Sequence, residues 1–322
     1  MERSFGIELE IAGITQSTAI AAIRAINVSI QAETYNHATR RHWKVVSDAS
    51  VRGGFEVVSP VLHGDAGIAE AQAVAEALAD AGATVNRTCG LHVHFDASDL
   101  NVESIRAIVR RYAAHEAEID AFMPASRRGN ENSYCRSLQA VLTPAFDRAA
   151  TIEQLARAQG DRYFKVNLQS FTRHGTIEFR QHSGTVNARK IGSWVRFLAA
   201  FIDRSKAVAA APSAMPVAEH PVALSGKIGR LARRFAAERT LRLADFCSEC
   251  GWQRHSGRAA IVRLRRAGMD IRAISVDGEA AYELVSGLVT AQPVPTDSLW
   301  AGIDENVRAF YARRAAVLRV VA

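Results

Sequence analysis

Phe5-Gly6-Ile7-Glu8-Leu9-Glu10-Ile11 is the stretch on which the fold turns. Its apolar residues fall on every second position, the period of a β-strand with one face in a core. Glu8 and Glu10 therefore share the other face. Two carboxylates side by side repel, and each disfavours ionisation of the other. A divalent cation between them resolves that conflict, and hard oxygen ligands suit Mg²⁺ or Mn²⁺ better than softer metals. The bland alternative is an edge strand with two surface acids.

Working outward, Trp43–Ser47, Phe55–Pro60, Leu91–Asp96, Tyr163–Leu168 and Thr176–Gln181 also read as strands. Phe55-Glu56-Val57-Val58 sets a lone acid in an apolar run, where an unpaired charge is expensive. Asp48 lies in the preceding turn, Ser47-Asp48-Ala49-Ser50. Cys89-Gly90-Leu91-His92-Val93-His94 puts two histidines on one strand face, and Glu178-Phe179-Arg180 aligns a carboxylate with a guanidinium. Each alone has a structural explanation, as a hydrogen-bonded core histidine or an in-strand ion pair. Four strands that all direct such groups out of apolar frames point instead to one metal-binding surface. Lys165 and Asn167 alternate on the strand before Glu178, with Arg173, His174 and His182 nearby. Arg127, Arg128 and Arg136 sit in the polar run Pro124–Arg136, which reads either as an exposed loop or as a substrate-anion site.

Helical patterns fill the gaps at Thr18–Asn27, Gly67–Ala81, Asn101–Ala121, Ile152–Gln159 and Ile191–Ala209. Pro212, Pro216 and Pro221 among small residues mark a linker. The expected domains are 1–211, a linker at 212–225, a basic module at 226–290, and a C-terminal helix within 291–322.

Four motifs occur in order: FGIELE, DASVRGGFEVVSP, CGLHVHFD and VNLQSFTRHGTIEFRQHSGT. The ordered set resembles the amidoligases of the carboxylate–amine ligase superfamily, which includes glutamine synthetase and glutamate–cysteine ligase. The resemblance covers roughly the first 200 residues. It implies an α+β fold with a curved antiparallel sheet like that of glutamine synthetase, flanked by helices and binding ATP and Mg²⁺ (or Mn²⁺) on its concave face. It also implies metal binding by Glu8, Glu10, Asp48, Glu56, His92 and Glu178. Arg180 then contacts phosphate, and Arg180, Glu178 and Glu56 are the expected catalytic residues. His94, Lys165 and Asn167 are expected on the nucleotide side, beside Arg180. Ala49 stands where the family's turn carries glycine. No GxxxxGK[ST] occurs, so a P-loop nucleotide site is not expected. The implied reaction phosphorylates a carboxylate and passes the acyl group to an amine.

Charge is concentrated in the second part. The chain of 322 residues carries +7, and Lys227–Arg272 alone holds 12 Lys/Arg against 4 acids. Such a patch favours a polyanion or simply solubility. Lys227–Glu238, Leu243–Cys250 and Ser256–Ala267 read as helices, and Asp270–Ile274 with Ala280–Val285 as a hairpin turning at Asp277-Gly278. A last helix spans Leu299–Val320. The module resembles a winged helix with Arg254, His255, Ser256 and Arg258 at the start of its recognition helix, so DNA or another nucleic acid is the expected partner. Cys247 and Cys250 form a single CxxC, read as core rather than as a zinc site.

No apolar run is long enough for a membrane span, and four scattered cysteines make no disulfide framework. The N-terminus enters a strand pattern without a signal peptide, so a cytoplasmic setting is expected. The leading reading is a ligase joining a carboxylate to an amine through an acyl phosphate, acting on a nucleic acid or an associated protein. The alternative is a DNA-binding regulator that senses a ligand with an inactive ligase-like domain. A kinase or hydrolase on the same metal sheet is a third reading.

Overall fold

The computed structural model describes residues 2–210, 226–266, 269–286 and 298–320. It is an α+β protein with two compact units. The strands are β1 (Ser4–Ala12), β2 (Ile30–Ala32), β3 (Trp43–Val46), β4 (Gly54–Val58), β5 (Leu62–His63), β6 (Gly90–Asp96), β7 (Val166–Asn167), β8 (Thr176–Ser183), β9 (Thr240–Arg242), β10 (Asp270–Val276) and β11 (Glu279–Ser286). The α-helices are α1 (Gln16–Ala25), α2 (Gly64–Asp80), α3 (Val102–Ala114), α4 (Glu116–Ala121), α5 (Pro144–Arg148), α6 (Ile152–Gln159), α7 (Gln169–His174), α8 (Ala188–Ala210), α9 (Gly226–Glu238), α10 (Leu243–Cys250), α11 (Arg254–Arg266) and α12 (Glu305–Val320).

The first unit is built on an eight-stranded sheet of order β2-β3-β4-β1-β6-β8-β7, with β5 paired to β1. Register explains its core. Leu9 pairs with Val57 on one side and Leu91 on the other, Ile7 with Val93, and Val93 with Phe179. Directly opposed residues point to the same face, so these side chains form one continuous apolar surface. Helices cover it: Tyr112 of α3 lies 5.9 Å from Phe179 and 5.7 Å from Phe201 of α8.

Several expectations change in detail. β2 pairs β3 in parallel, so the sheet is mixed rather than wholly antiparallel. A parallel pair needs a crossover, which the segment Glu33–His42 supplies. The helix expected over Asn101–Ala121 breaks at His115, and the break turns Glu116 and Asp120 toward Lys165, at 2.5 and 2.7 Å. The strand expected over Tyr163–Leu168 is regular only at Val166–Asn167, with a single bridge from Phe164 to Arg136 before it, and is followed by α7, which ends at left-handed Gly175. The last helix starts at Glu305, not Leu299, because Gly302 takes a positive φ and the Asp304 side chain accepts from the Asn306 amide. That helix packs within the first unit, where Arg314 donates to the Phe122 carbonyl at 2.7 Å and Tyr311 lies against Phe122.

The second unit holds α9–α11 and a three-stranded sheet of order β10-β11-β9. β9 has only three residues, too few to show a strand period in sequence. The hairpin turns through left-handed Asp277 and Gly278, as expected. Phe235, Phe246, Cys247, Ile261 and Leu264 share its core, so Cys247 is a packing residue. A β-carbon at Gly257 would meet Cys247 Sγ, so this glycine lets α10 and α11 approach closely. The expected linker lies outside the described residues. Among the described residues, no helix is long and apolar enough to cross a membrane.

Gly54 makes the closest approach in the first unit, where any β-carbon would collide with the Ile11 carbonyl and the Val51 side chain. Backbone cannot yield as a side-chain tip can. Gly54→Ala should therefore lower stability by at least about 1–3 kcal/mol, measured by urea denaturation followed by far-UV circular dichroism.

Candidate active site

The polar face of the same sheet is the floor of a cleft of about 1030 Å³. Three cross-strand rows assemble it. Glu10 is paired with Glu56, and Glu56 with Val46. Glu8 is paired with Val58 and His92, and Val58 with Lys44. His94 is paired with Glu178, and Glu178 with Asn167. Each row crosses strands distant in sequence, and alternation keeps all these side chains on the face opposite the core. The register of β6 against β8 slips between Leu91 and Val93, and Arg180 stays on the cleft side of that irregularity.

His92 sits at the centre, its Nδ1 3.0 Å from Glu8 and 3.6 Å from Glu178, its Nε2 3.7 Å from Glu10. The Glu10 carboxylate accepts the Gly90 amide at 2.5 Å. A β-carbon on Gly90 would press on His92, Arg127 and Glu10, so glycine here lets the acid reach the backbone. Asn167 donates to Glu178 at 2.6 Å, and Arg180 donates to the other oxygen of the same carboxylate. Asp48 lies in its turn, accepting from the Ser50 amide and hydroxyl. Three overlapping sets of groups converge within 4.8 Å: Glu8, Glu56 and His92; Glu8, His94 and Glu178; Glu10, Asp48 and Glu56.

Charges at this spacing interact strongly. Two carboxylates about 4 Å apart repel by roughly 4 kcal/mol at an effective dielectric near 20. That exceeds the roughly 1.4 kcal/mol that moves an ionisation by one pH unit. The groups divide accordingly. Burial disfavours ionised Glu8, but His94 and His92 outweigh it and hold this carboxyl well below the usual range. Glu56 shifts the other way: burial, then Glu8, Glu10 and Asp48, push it well above. Burial opposes charge on His94, yet Glu178 and Glu8 raise it above the ordinary imidazole value. Burial of Glu178 is likewise outweighed by Arg180 and His94, which lower it.

Residues 1–202 match the family model described as "Putative amidoligase enzyme". The chain belongs to this family. No curated protein matches the chain. Membership places the amidoligase unit among ligases, enzymes that join rather than cleave.

Within the amidoligase cleft, the structure unites Glu8, Glu10, Asp48, Glu56, His92, His94, Asn167, Glu178 and Arg180. It sets other candidates elsewhere. Lys165 is fully buried against Glu116 and Asp120, away from the cleft lining. Arg127 is buried too, donating to the Cys89 carbonyl at 2.5 Å, and Arg128 donates to the Met123 carbonyl. Arg136 pairs with Asp161 and stacks on Phe164. His182 packs on Trp194, and burial followed by Arg314 pushes its imidazole down to about 3. Arg173 and His174 do line the cleft.

The sequence reading passes over Lys44, Tyr35, His37, Arg162 and Tyr163, all of which line the cleft. Lys44 carries the signal used for Glu56, a lone charge in an apolar strand. The others lie in irregular segments with no period to give them a face.

Glu56 supplies a direct electrostatic test. Its folded-state pKa is raised, so the folded chain holds this proton more tightly than the unfolded chain does. Stability is then lost as pH rises from the ordinary Glu value of about 4.3 toward the folded value. In chelator, Glu56→Gln should gain on the wild type as pH rises above about 4.3. The expected gain is at least about 1 kcal/mol, close to the worth of moving one ionisation by a single pH unit. Urea denaturation across that range measures it, and a pH-independent difference would contradict the assignment.

Proposed function

We propose that this protein is an ATP- and divalent-metal-dependent carboxylate–amine ligase. The observation that carries the reading is the convergence of five acids, two histidines and Arg180 on one cleft floor in a chain of the amidoligase family. The donor set fits a hard divalent cation: carboxylate oxygens predominate, with imidazole beside them. His94 Nε2 also lies buried, 3.3 Å from Glu8 without hydrogen-bond geometry, a nitrogen left to be satisfied. Glu8, Glu10, Asp48, Glu56, His92 and Glu178 would hold the metal, which when bound neutralises charge on a transferring phosphoryl group.

A substrate carboxylate oxygen attacks the γ-phosphorus of ATP, the bond to the bridging oxygen breaks, and ADP leaves. An amine nitrogen then attacks the acyl carbon, phosphate departs with its oxygen, and the nitrogen gives up a proton. Phosphorylation is needed because a bare carboxylate would have to expel oxide. The protein's part is positioning and charge. Arg180 is aimed by its ion pair with Glu178 and its Nε bond to the Tyr134 carbonyl, so it can meet phosphoryl oxygens without reorganising. Lys44 donates to Asn36 O, Asn36 Oδ1 and Ala38 O, so its ammonium is fully engaged and serves as no base. In this reading the sheet corresponds to the catalytic sheet of glutamine synthetase relatives, and the setting is the cytoplasm.

The second unit is read as a winged helix that contacts DNA or another nucleic acid. Arg254, His255, Arg258, Val262 and Arg263 are exposed along one side of α11. Neighbouring arginines are neutralised, Arg234 by Glu238 and Glu249 and Arg242 by Asp277. Arg254, Arg258 and Arg263 make no ion pair among the described residues, which leaves a cationic ridge for phosphates. The side chain of Arg266 lies outside the described residues.

Purified protein with Mg²⁺ and ATP, screened against pooled carboxylates and amines with and without DNA, should release ADP only when an amine is present. Glu8→Gln and Arg180→Ala should each lower turnover by about 100-fold or more, with folding checked by circular dichroism. Turnover that survives both substitutions sinks the assignment. For the second unit, Arg254→Ala with Arg258→Ala should weaken DNA retention and reduce the slope of log affinity against log salt by about 1–2. If the wild type is not retained even at low salt, the nucleic-acid role fails.

A further inference from the structure

The cleft has two chemically different parts. Its floor is acidic, while its rim carries rings and guanidinium groups that a metal–phosphate role leaves without work. Tyr35 and His37 come from the segment between β2 and β3. Arg162 and Tyr163 precede β7, and Arg173 and His174 close α7. The β2–β3 pair and β7 lie at opposite ends of the strand order. Even so, the His37 and His174 ring centroids are 6.3 Å apart, and Tyr35 comes within reach of Arg162. The segment therefore spans the cleft.

Its position is fixed from below. The three bonds from Lys44 to Asn36 and Ala38 tie the segment to the floor, and Glu33 binds Asn36, Arg40 and His42 at its foot. Held this way, Tyr35 sits edge-on to His37 at 5.1 Å, with its hydroxyl 3.3 Å from Nε2. Across the opening, the Arg162 guanidinium lies 5.3 Å from the Tyr163 ring. His174 is 6.1 Å from His94, which joins rim to floor.

Two features indicate a ligand rather than packing. Tyr35 remains 51% exposed, although its loop is pinned over a cavity, so its ring is presented and not buried. Arg162 and Arg173 line the cleft beside these rings and form no ion pair among the described residues. Rings offer stacking, and unneutralised guanidinium groups beside them offer charge.

We propose that this rim is a binding subsite for a planar ring that carries negative charge close by. The subsite belongs to the cleft read above as metal- and nucleotide-binding, and it rests on that reading for the anchoring of the charged part. Two sources share the chemistry: the base of the nucleotide, or a ring on the carboxylate substrate.

Calorimetric titration of the full chain with ATP and with inorganic triphosphate, each with Mg²⁺, separates them. Tyr35→Ala and Tyr163→Ala are measured beside the wild type, with melting curves as a folding control. Benzoate and cyclohexanecarboxylate, alike in size but not in planarity, are compared by saturation-transfer NMR on the same proteins. If the nucleotide supplies the ring, ATP binds at least tenfold more tightly than triphosphate, and both variants erase that advantage without changing triphosphate affinity. If the substrate supplies it, ATP and triphosphate bind alike, benzoate is preferred over cyclohexanecarboxylate, and the variants erase that preference. The subsite is overturned if no ring preference exists in the wild type or if both variants keep it. Triphosphate that does not bind at all counts against the metal–phosphate floor instead, and the benzoate arm then decides the rim alone.

Discussion

Like charge held at close range on one sheet face is the constraint around which the first unit is organised. Glu10 and Glu56 are direct cross-strand partners, with Glu8 and Asp48 beside them. A pair of this kind opposes folding unless something compensates. His92, His94 and Arg180 supply part of the compensation, and the raised Glu56 carboxyl shows where it runs short. An apolar face of Leu, Ile, Val and Phe side chains, sealed by helices, holds the strands in the register that enforces the crowding. Stability stored in one face thus supports electrostatic tension on the other.

That tension gives the cleft its chemistry. A cation arriving there would relieve repulsion already built into the fold, so its charge is favoured before any substrate arrives. Most of these side chains are rooted in strands, not loops, which limits their movement. Arg180 is fixed by a carboxylate from its own strand and a backbone carbonyl from elsewhere in the chain. The loop over the cleft is more adaptable in composition but is tied down through Lys44, whose ammonium donates to the Asn36 and Ala38 carbonyls and to the Asn36 side chain.

The second unit follows a different logic. Its core is small and apolar, its hairpin has a strong turn signal, and its surface charge is unevenly satisfied. Arg234 of α9 and Arg242 of β9 are neutralised locally, while Arg254, Arg258 and Arg263 on the exposed side of α11 form no ion pair among the described residues. Charge left uncompensated on one helix is a better pointer to a partner than the overall excess of basic residues.

Sequence by itself determined the strands that build the floor and which of their residues face it. Period-two alternation assigns faces without knowledge of partners, so Glu8, Glu10, Glu56, His92, His94, Glu178 and Arg180 were legible from their own strands. The Asp277-Gly278 turn and the core place of Cys247 were legible for similarly local reasons. Tertiary structure alone decided what depends on contact between distant segments. Lys165 follows the same alternation as Asn167, yet Glu116 and Asp120 of α4 draw it into a buried ion pair. Arg127 and Arg128 look like loop cations, yet backbone carbonyls claim them. The parallel β2–β3 pair, and the loop that crosses the cleft because of it, have no period to reveal them. Local pattern fixes the direction of a side chain; only the packed chain fixes what it meets.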